Sequence, residues 1–314
     1  MLTKGFSYAE NIAMEAAAET TEKEFLIQPL PAELTNTVLY TAYRPRSFCF
    51  TGGKGGVGKT TLLLCVADYL RKKNYQVRII DCDPLPKTYR QATNKLSRTN
   101  ERNVLPNGAV VYTLLSKNVE YETFKYDLQA KPFAESLYTY GELNALAKQV
   151  TRAGGGGDTV LKLFTNLNRL AQKELTADSV ILYDCPAGLE FTGILPYFLA
   201  THFLLITNPE SPALQDAAGV VKVIAQNKQM AKNIYPVINK VPVKDKKILP
   251  LARQITTQTL SNLNTLFAKW SGTASRTDFV GDAIYIDSAN SFADINTEQL
   301  GQKILALLRS AERH

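Results

Sequence analysis

The chain is poor in the residues that histidine-based chemistry needs. It has two histidines in 314 residues, and one of them, His314, is the last residue. The other, His202, precedes the apolar run FLLI, which predicts a packed side chain. A histidine mechanism would rest on His202 alone, so we do not expect one.

Cysteine is also scarce and carries no metal-binding or redox spacing. The four cysteines are Cys49, Cys65, Cys82 and Cys185. They form no C-x-x-C pair, and each lies inside or beside an apolar run, where cysteine behaves as a small hydrophobic residue. The sequence therefore predicts that the cysteines are packed in a core.

Long apolar runs and a secretory leader are absent too. No stretch approaches the roughly 18 apolar residues of a membrane-spanning helix, so we expect a cytoplasmic protein. Hydrophobic residues make up 45% and charged residues 21%, which is ordinary for a soluble globular chain. The net charge of +7 favours contact with a polyanion.

The pattern along the chain predicts an N-terminal extension followed by one α/β domain. Residues 1–45 combine a weak helical stretch at 7–25 with two prolines, and we interpret them either as a mobile arm or as a docking segment for a partner. From residue 46 to 314, short apolar runs alternate with helical stretches, which indicates a doubly wound, mostly parallel sheet flanked by helices. The predicted strands are 47–50, 77–82, 109–115, 179–185, 203–207 and 234–239, and the first helix is predicted from Thr60 to about Lys73.

Two parts of this domain give weaker signals. The run of four glycines at 154–157 predicts a flexible loop, because glycine loses much backbone entropy inside a helix or strand. Residues 90–175 are weakly patterned, and we assign no helix order there.

A phosphate-binding loop follows the first predicted strand. Gly53 to Thr60 match G-x-x-x-x-G-K-[ST], placed between a strand and a helix as this motif requires. Backbone N–H groups of such a loop surround a phosphate chain, Lys59 reaches the β- and γ-phosphates, and the Thr60 hydroxyl group is placed on Mg²⁺. The predicted nucleotide contacts are Gly53, Lys54, Gly55, Gly56, Val57, Gly58, Lys59, Thr60 and Thr61.

The loop also carries a second lysine, Lys54. With it, 54-KGGVGKT-60 resembles the deviant Walker A ATPases of the ParA/MinD family. In that family the first lysine crosses the dimer interface to the phosphates of the partner subunit. One loop can hardly place two ammonium groups on its own γ-phosphate, so Lys54 favours a nucleotide-sandwich dimer in which it neutralises charge in the transition state.

The resemblance assigns roles at later strand ends. It implies that Asp81 supports Mg²⁺, that Asp83 orients or deprotonates the attacking water, and that Asp184 is the Walker B carboxylate at the metal. The loop 186-PAG-188 would then sense the γ-phosphate, and Asn239, in 237-VINKV-241, would hydrogen-bond adenine. The sequences around Asp184 and at 207-TNPESPALQDA-217 resemble the MinD branch.

The surfaces of the domain are less decisive. Eight basic residues and one acid, Asp245, lie within 222–253; the basic residues are Lys222, Lys228, Lys232, Lys240, Lys244, Lys246, Lys247 and Arg253. They favour nonspecific DNA binding, although a solvated face is the alternative. A second basic group, Lys87, Arg90, Lys95, Arg98 and Arg102, either joins this patch or faces water.

The C-terminus has the pattern of a last core helix. Helical spacing is shared by Ile295, Leu300, Ile304, Leu307 and Leu308. Because only six residues follow Leu308 in this sequence, we expect none of the membrane helix that MinD proteins carry.

Together these features predict a Mg²⁺-dependent ATPase of the ParA/MinD type, with Lys54, Lys59 and Asp83 as catalytic residues. We expect an ATP-dependent homodimer that positions a plasmid, chromosome or protein assembly, binds DNA, associates with the nucleoid and is stimulated by an adaptor protein. The alternatives are a MinD-like regulator on a membrane or protein surface and a non-catalytic scaffold clamped by ATP. A nitrogenase-reductase-like electron carrier and an Mrp-type iron–sulfur scaffold are disfavoured by the cysteine pattern.

Overall fold

The structure is a computed structural model, and it describes ten segments of the chain. They are residues 46–83, 87–93, 103–113, 175–176, 178–189, 195–226, 233–241, 245–271, 283–287 and 297–310. The predicted extension over residues 1–45, the tetraglycine run and most of 90–175 lie outside the described residues.

Eight strands of the described segments form one sheet. They are β1 (Arg46–Thr51), β2 (Gln76–Asp81), β3 (Asn103–Val104), β4 (Val110–Thr113), β5 (Ser179–Asp184), β6 (His202–Thr207), β7 (Ile234–Val241) and β8 (Ile284–Asp287). Their order across the sheet is β3-β4-β2-β5-β1-β6-β7-β8. The short β3 runs antiparallel to β4, and the other neighbouring pairs are parallel. The predicted doubly wound, mostly parallel sheet is therefore confirmed.

Five α-helices are described around this sheet. They are α1 (Lys59–Lys72), α2 (Thr88–Thr93), α3 (Ser211–Gln226), α4 (Ile248–Ser271) and α5 (Glu298–Ser310), and a 3₁₀ turn covers Leu195–Phe198. The observed α1 confirms the predicted first helix. All six predicted strands are found, although the structure describes the 109–115 run only to residue 113. The strands β3 and β8 were not predicted.

Hydrophobic side chains fill both faces of the sheet, because alternate residues of a strand point to opposite sides. On one face, Phe48 and Phe50 pack with residues of α1 such as Leu62. On the other, Phe203 packs with Tyr183 and with buried residues of α3. The sheet is thus covered by helices on both sides, as the apolar runs predict.

The C-terminal helix α5 belongs to this core. Leu300, Ile304 and Leu308 are buried, and Leu307 is partly buried against the same cluster. The prediction of a last core helix is confirmed for these four residues, and Ile295 lies outside the described residues. Within the described segments, no helix has both the length and the apolarity to cross a membrane.

The cysteines and His202 take the packed roles expected of them. Cys49, Cys65, Cys82 and Cys185 are buried free thiols. His202 stacks on Phe48 and Tyr235, with ring centroids 4.9 Å and 5.9 Å away. Burial lowers the pKa of His202 to about 4, so the ring is neutral at pH 7.

Because the central strands are parallel, the loops that follow β1, β2, β5, β6 and β7 meet at one edge of the sheet, where ligands bind in open α/β folds.

Candidate nucleotide site

The glycine-rich loop connects β1 directly to α1. The ammonium group of Lys59, in the first turn of α1, donates a 3.0 Å hydrogen bond to the carbonyl oxygen of Lys54. This bond folds the Lys59 side chain back over the loop, and only 8% of the residue is exposed. Burial lowers the pKa of Lys59, and the nearby charge of Asp184 acts in the opposite direction.

Two glycines of the loop are required by what packs against them. Gly58 has a φ of 100°, and a Cβ there would lie 2.3 Å from the amide nitrogen of Asn239. At Gly53 a Cβ would lie 2.4 Å from the Cβ of Asp216 on α3. The loop is therefore seated against the end of β7 and against α3, with no space for side chains at these positions.

Two carboxylates face each other at the ends of the neighbouring strands β2 and β5. Asp81 and Asp184 are register partners, and both are buried. One oxygen of Asp184, Oδ2, accepts a 2.8 Å hydrogen bond from the Thr88 hydroxyl group. The other, Oδ1, is buried and finds no hydrogen-bond partner among the described residues.

The charged form of Asp184 is therefore disfavoured. Burial and the charge of Asp81 raise the pKa of Asp184 to about 8, while the Thr60 hydroxyl group favours its ionised form. An unpartnered carboxylate oxygen beside a threonine hydroxyl group is a donor set that suits a hard divalent cation or one of its water ligands. Thr60 and Asp184 thus fit the predicted Mg²⁺ site.

Asp81 is engaged mainly with the backbone that follows it. Its carboxylate accepts hydrogen bonds from the N–H groups of Asp83 (3.1 Å), Lys87 (2.8 Å) and Thr88 (2.9 Å). Burial raises the pKa of Asp81 to about 6, and the hydrogen bonds from Thr88 and Lys87 oppose the rise. Asp81 thereby fixes the start of α2 and the position of Asp83, and its assignment to Mg²⁺ stays a prediction.

Asp83 lies at the edge of the acidic pair and is more open. Its side chain is 14% exposed and forms an ion pair with Lys87, which is 60% exposed. Lys87 therefore lies beside the predicted water-activating carboxylate. The predicted role of Asp83 is untested by this geometry.

Lys54 lies at the rim of the loop and makes an ion pair with Glu210. The ammonium nitrogen is 2.8 Å from the Glu210 carboxylate, and the two side chains are 35% and 58% exposed. The contact with Lys54, followed by smaller effects that include the charge of Lys240, lowers the pKa of Glu210. The second lysine thus points out of its own loop, towards solvent.

The end of β7 contacts the loop through two successive residues. Asn239 donates its amide N–H to the carbonyl oxygen of Val57 (2.8 Å), and Lys240 donates to the carbonyl oxygen of Gly56 (2.7 Å). An amide nitrogen carries two N–H groups, so the Val57 contact uses only part of the hydrogen-bonding capacity of Asn239. Adenine recognition by Asn239 remains a prediction.

Two further hydrogen bonds connect the phosphate loop and α1 to neighbouring segments. The N–H of Gly188, in the loop after β5, donates to the carbonyl oxygen of Gly53 at 2.8 Å. The side chain of Gln91 on α2 donates to the Thr61 hydroxyl oxygen at 2.7 Å. The loop predicted to sense the γ-phosphate is therefore bonded directly to the phosphate loop.

Comparison with known families identifies this arrangement. Residues 48–266 match the model of the CobQ/CobB/MinD/ParA nucleotide binding domain. The chain belongs to this family. The predicted ParA/MinD resemblance is confirmed.

Individual relatives of the family are distant. An uncharacterised ATP-binding protein of Methanocaldococcus jannaschii is 26% identical over 75% of this chain and 90% of its own length. The septum site-determining protein MinD of Escherichia coli is 26% identical over 60% of this chain and 62% of its own length, so the match spans less than two thirds of that MinD. The crystal structure of cobyrinic acid a,c-diamide synthase from Mycobacterium smegmatis, with bound ADP and magnesium, has a TM-score of 0.52 at 14% identity and covers 85% of this chain and 96% of that one.

These comparisons bear on the fold and the cofactors but not on single residues. The structural neighbour has the predicted P-loop type of fold, and its ADP and magnesium agree with the predicted cofactors, ATP and Mg²⁺. The role of each site residue stays a prediction. So does the division into an extension over 1–45 and a domain over 46–314.

The structure also adds three residues whose contacts the sequence analysis did not predict. The Thr88 hydroxyl group donates to Asp184, the side chain of Gln91 donates to Thr61, and Glu210 pairs with Lys54. Glu210 ends the MinD-like run 207-TNPE-210, but the run does not indicate its partner. All three partners are distant in sequence, so no local pattern predicts these contacts.

Proposed function

We propose that this protein is an ATP-dependent dimerising switch that hydrolyses ATP to position or partition a large cargo. The observation that carries this proposal is the separation of the two lysines of the loop. Lys59 folds over its own loop, whereas Lys54 reaches the exposed rim and pairs with Glu210. A cation in that position is available to the nucleotide of a second copy.

The nucleotide would lie along the glycine-rich loop. Its phosphates would replace the contact between Lys59 and the Lys54 carbonyl group, because an ammonium group binds an anion more strongly than a neutral oxygen. Thr60 and Asp184 would hold Mg²⁺, supported by Asp81. Bound Mg²⁺ would neutralise charge on the transferred phosphoryl group.

Hydrolysis would need Asp83 to orient or deprotonate water. Asp83 is held by the hydrogen bond from its backbone N–H group to Asp81 and by its ion pair with Lys87, so its carboxylate is already occupied by Lys87. We expect slow turnover of the isolated protein, because a stimulating adaptor would be needed to rearrange this contact.

We propose that the basic patch is the surface through which the dimer binds its ligand, and that this ligand is DNA. Lys246 and Lys247 are exposed in the turn directly before α4. Two other members are engaged locally: Lys240 binds the loop and Arg253 lies over the Tyr285 ring, 5.5 Å from its centroid. Lys228, Lys232 and Lys244 lie outside the described residues.

A specific observation favours the alternative of a MinD-like regulator on a membrane or protein surface. Ile248 and Leu251, one turn apart on α4, are 48% and 39% exposed and follow Lys246 and Lys247. Exposed apolar residues beside cations are typical of a segment that lies on an anionic membrane. The same pair would suit a protein partner.

One assay separates these possibilities. Retention of the protein on DNA and on anionic vesicles is measured with ATP, with ADP and without nucleotide. The proposal expects ATP-dependent, salt-sensitive retention on DNA that is weakened by reversing the charges of Lys246 and Lys247. Vesicle binding that is lost in Leu251→Ser would favour the alternative, and binding to neither surface would contradict both membrane and DNA roles.

Turnover is tested separately, with Asp83→Ala. This variant should bind ATP and lose phosphate release. A wild-type protein that binds ATP without releasing phosphate, even at long times, would instead be the ATP-clamped scaffold.

A further inference from the structure

The strand β7 is irregular at the point where it meets the phosphate loop. Lys240 has a φ of 58°, in the left-handed region that side-chain-bearing residues rarely adopt. The pairing of β7 with β8 also shifts register between Ile238 and Val241. These two features mark a β-bulge at Asn239 and Lys240.

Nothing in the local sequence favours the left-handed conformation of Lys240. The other non-glycine residue with positive φ in the described segments is Asn74, which follows the C-terminus of α1, a usual place for asparagine. Lys240 lies inside a strand, where lysine has no such preference. A conformation of this kind persists only if the surroundings hold it, and it is common at functional sites.

The contacts of the bulge explain what holds it. In a regular strand, successive side chains point to opposite faces, so Asn239 and Lys240 could not both reach one loop. Here both do: Asn239 donates to Val57 and Lys240 donates to Gly56. The bulge therefore turns two neighbouring side chains onto the same side.

The two bonds act on peptide groups that matter for phosphate binding. In a trans peptide group the C=O and the following N–H point in opposite directions. A donor on the Gly56 oxygen therefore orients the N–H of Val57, and a donor on the Val57 oxygen orients the N–H of Gly58. In a phosphate loop these N–H groups are the ones that face the anion.

We propose that Lys240 is a positioning residue for nucleotide binding, which holds the phosphate loop in its anion-binding geometry through the bulge in β7. The proposal rests on the nucleotide-binding function proposed above. It also removes Lys240 from the basic patch, because its ammonium group is committed to the loop.

The central test is Lys240→Gly, because glycine adopts a φ of 58° without strain and lacks only the side chain. ADP affinity is measured by calorimetry, and inorganic tripolyphosphate is used as a second ligand without a base. Both affinities should fall by about fivefold to twentyfold, as expected for losing one hydrogen bond from a charged donor. The melting temperature of the nucleotide-free variant should not fall.

Three further variants make the result specific. Lys240→Arg keeps a charged donor and should bind ADP within about threefold of the wild type. Lys269→Ala removes an equal charge from an exposed position on α4 and should bind ADP normally. Asn239→Ala should weaken ADP more than tripolyphosphate, because Asn239 is also predicted to contact the base.

Distinct results separate this inference from the proposed function. If the wild type binds neither ADP nor tripolyphosphate, the proposed function fails and the inference fails with it. If the wild type binds both and Lys240→Gly binds them equally well, only the inference is overturned. A large fall in the melting temperature of Lys240→Gly, without rescue of ADP affinity by Lys240→Arg, would show a structural role and would also overturn it.

Discussion

The two flanks of the phosphate loop differ in burial and in charge. The acidic flank, formed by Asp81, Asp83 and Asp184, has two fully enclosed carboxylates whose pKa values are raised. The basic flank, formed by Lys54 and Lys240 with Glu210, is more exposed: Lys54 forms an ion pair with Glu210, and Lys240 donates to the carbonyl oxygen of Gly56. Buried like charges need a cation to neutralise them, whereas exposed cations remain available to a ligand or a second protein.

Under the proposed function and the further inference, the two flanks have different roles. The acidic flank would hold the metal ion and the attacking water within one chain. The basic flank would position the loop through Lys240 and present Lys54 to a second subunit. Changes on the acidic side and in the loop should therefore alter binding and chemistry strongly, and changes on the basic rim should alter assembly by smaller factors.

The largest effect is expected from the lysine between the flanks. Lys59→Ala should weaken ADP binding by about a hundredfold or more, because the variant lacks the buried charge that faces the phosphates. Calorimetry measures the affinity. Lys72→Ala, which removes an exposed lysine paired with Asp68, is the matched control and should bind normally. Near-normal ADP affinity in Lys59→Ala would contradict the assigned site.

A change of intermediate size should follow neutralisation of the acidic flank. The pKa of Asp184 is about 8 in the folded state and about 4 in the unfolded state, so protonation of Asp184 favours the folded state. The free energy of unfolding without ligand should therefore fall as the pH rises from about 4 to about 8. Asp184→Asn should reduce that fall and should lose the gain in nucleotide affinity that Mg²⁺ gives the wild type.

Thermal unfolding from pH 5 to pH 8.5, with and without Mg²⁺ and ADP, measures both effects. In the wild type, Mg²⁺ should stabilise the folded protein more at high pH, because protons compete with the cation for the Asp184 carboxylate. An Asp184→Asn variant that still responds to Mg²⁺ like the wild type would remove Asp184 from the metal site.

The smallest effect is expected at the rim. Glu210→Gln should lower the protein concentration needed for ATP-dependent dimerisation by about twofold to fivefold, because an exposed ion pair of this kind holds Lys54 only weakly. Light scattering over a concentration series measures the shift. Asp68→Asn breaks a comparable exposed pair on α1 and should leave dimerisation unchanged. Weaker dimerisation of Glu210→Gln would show that Glu210 supports the dimer rather than restraining it.

The two flanks also differ in how far the sequence reveals them. Asp81 and Asp184 each end an apolar run, so their position at one edge of the sheet follows from strand periodicity and from parallel pairing. The Lys54–Glu210 and Lys240–Gly56 contacts join residues 156 and 184 positions apart, and no local pattern encodes them. The basic patch illustrates the limit, because charge composition alone does not show that Lys240 is turned onto the loop.

The same limit applies to the fold. The long buried strands were predictable because each is a continuous apolar run bounded by turn residues. The two-residue β3 is too short to give such a signal, and it is a strand because β4 offers an edge. The four-residue β8 is as long as the described part of β4, so its length alone does not explain why it was missed. The bulge in β7 could not be predicted, since lysine is an unfavourable residue for a left-handed conformation.

The central claim is that the Lys54 ammonium group binds the nucleotide of a second subunit. The direct measurement is the mass in solution with Mg²⁺ and a non-hydrolysable ATP analogue, compared between the wild type and Lys54→Ala at equal nucleotide occupancy. The account predicts twice the 34.8 kDa of one chain for the wild type and a single chain for Lys54→Ala. A wild type that stays a single chain when saturated, or a Lys54→Ala variant that dimerises normally, would contradict it.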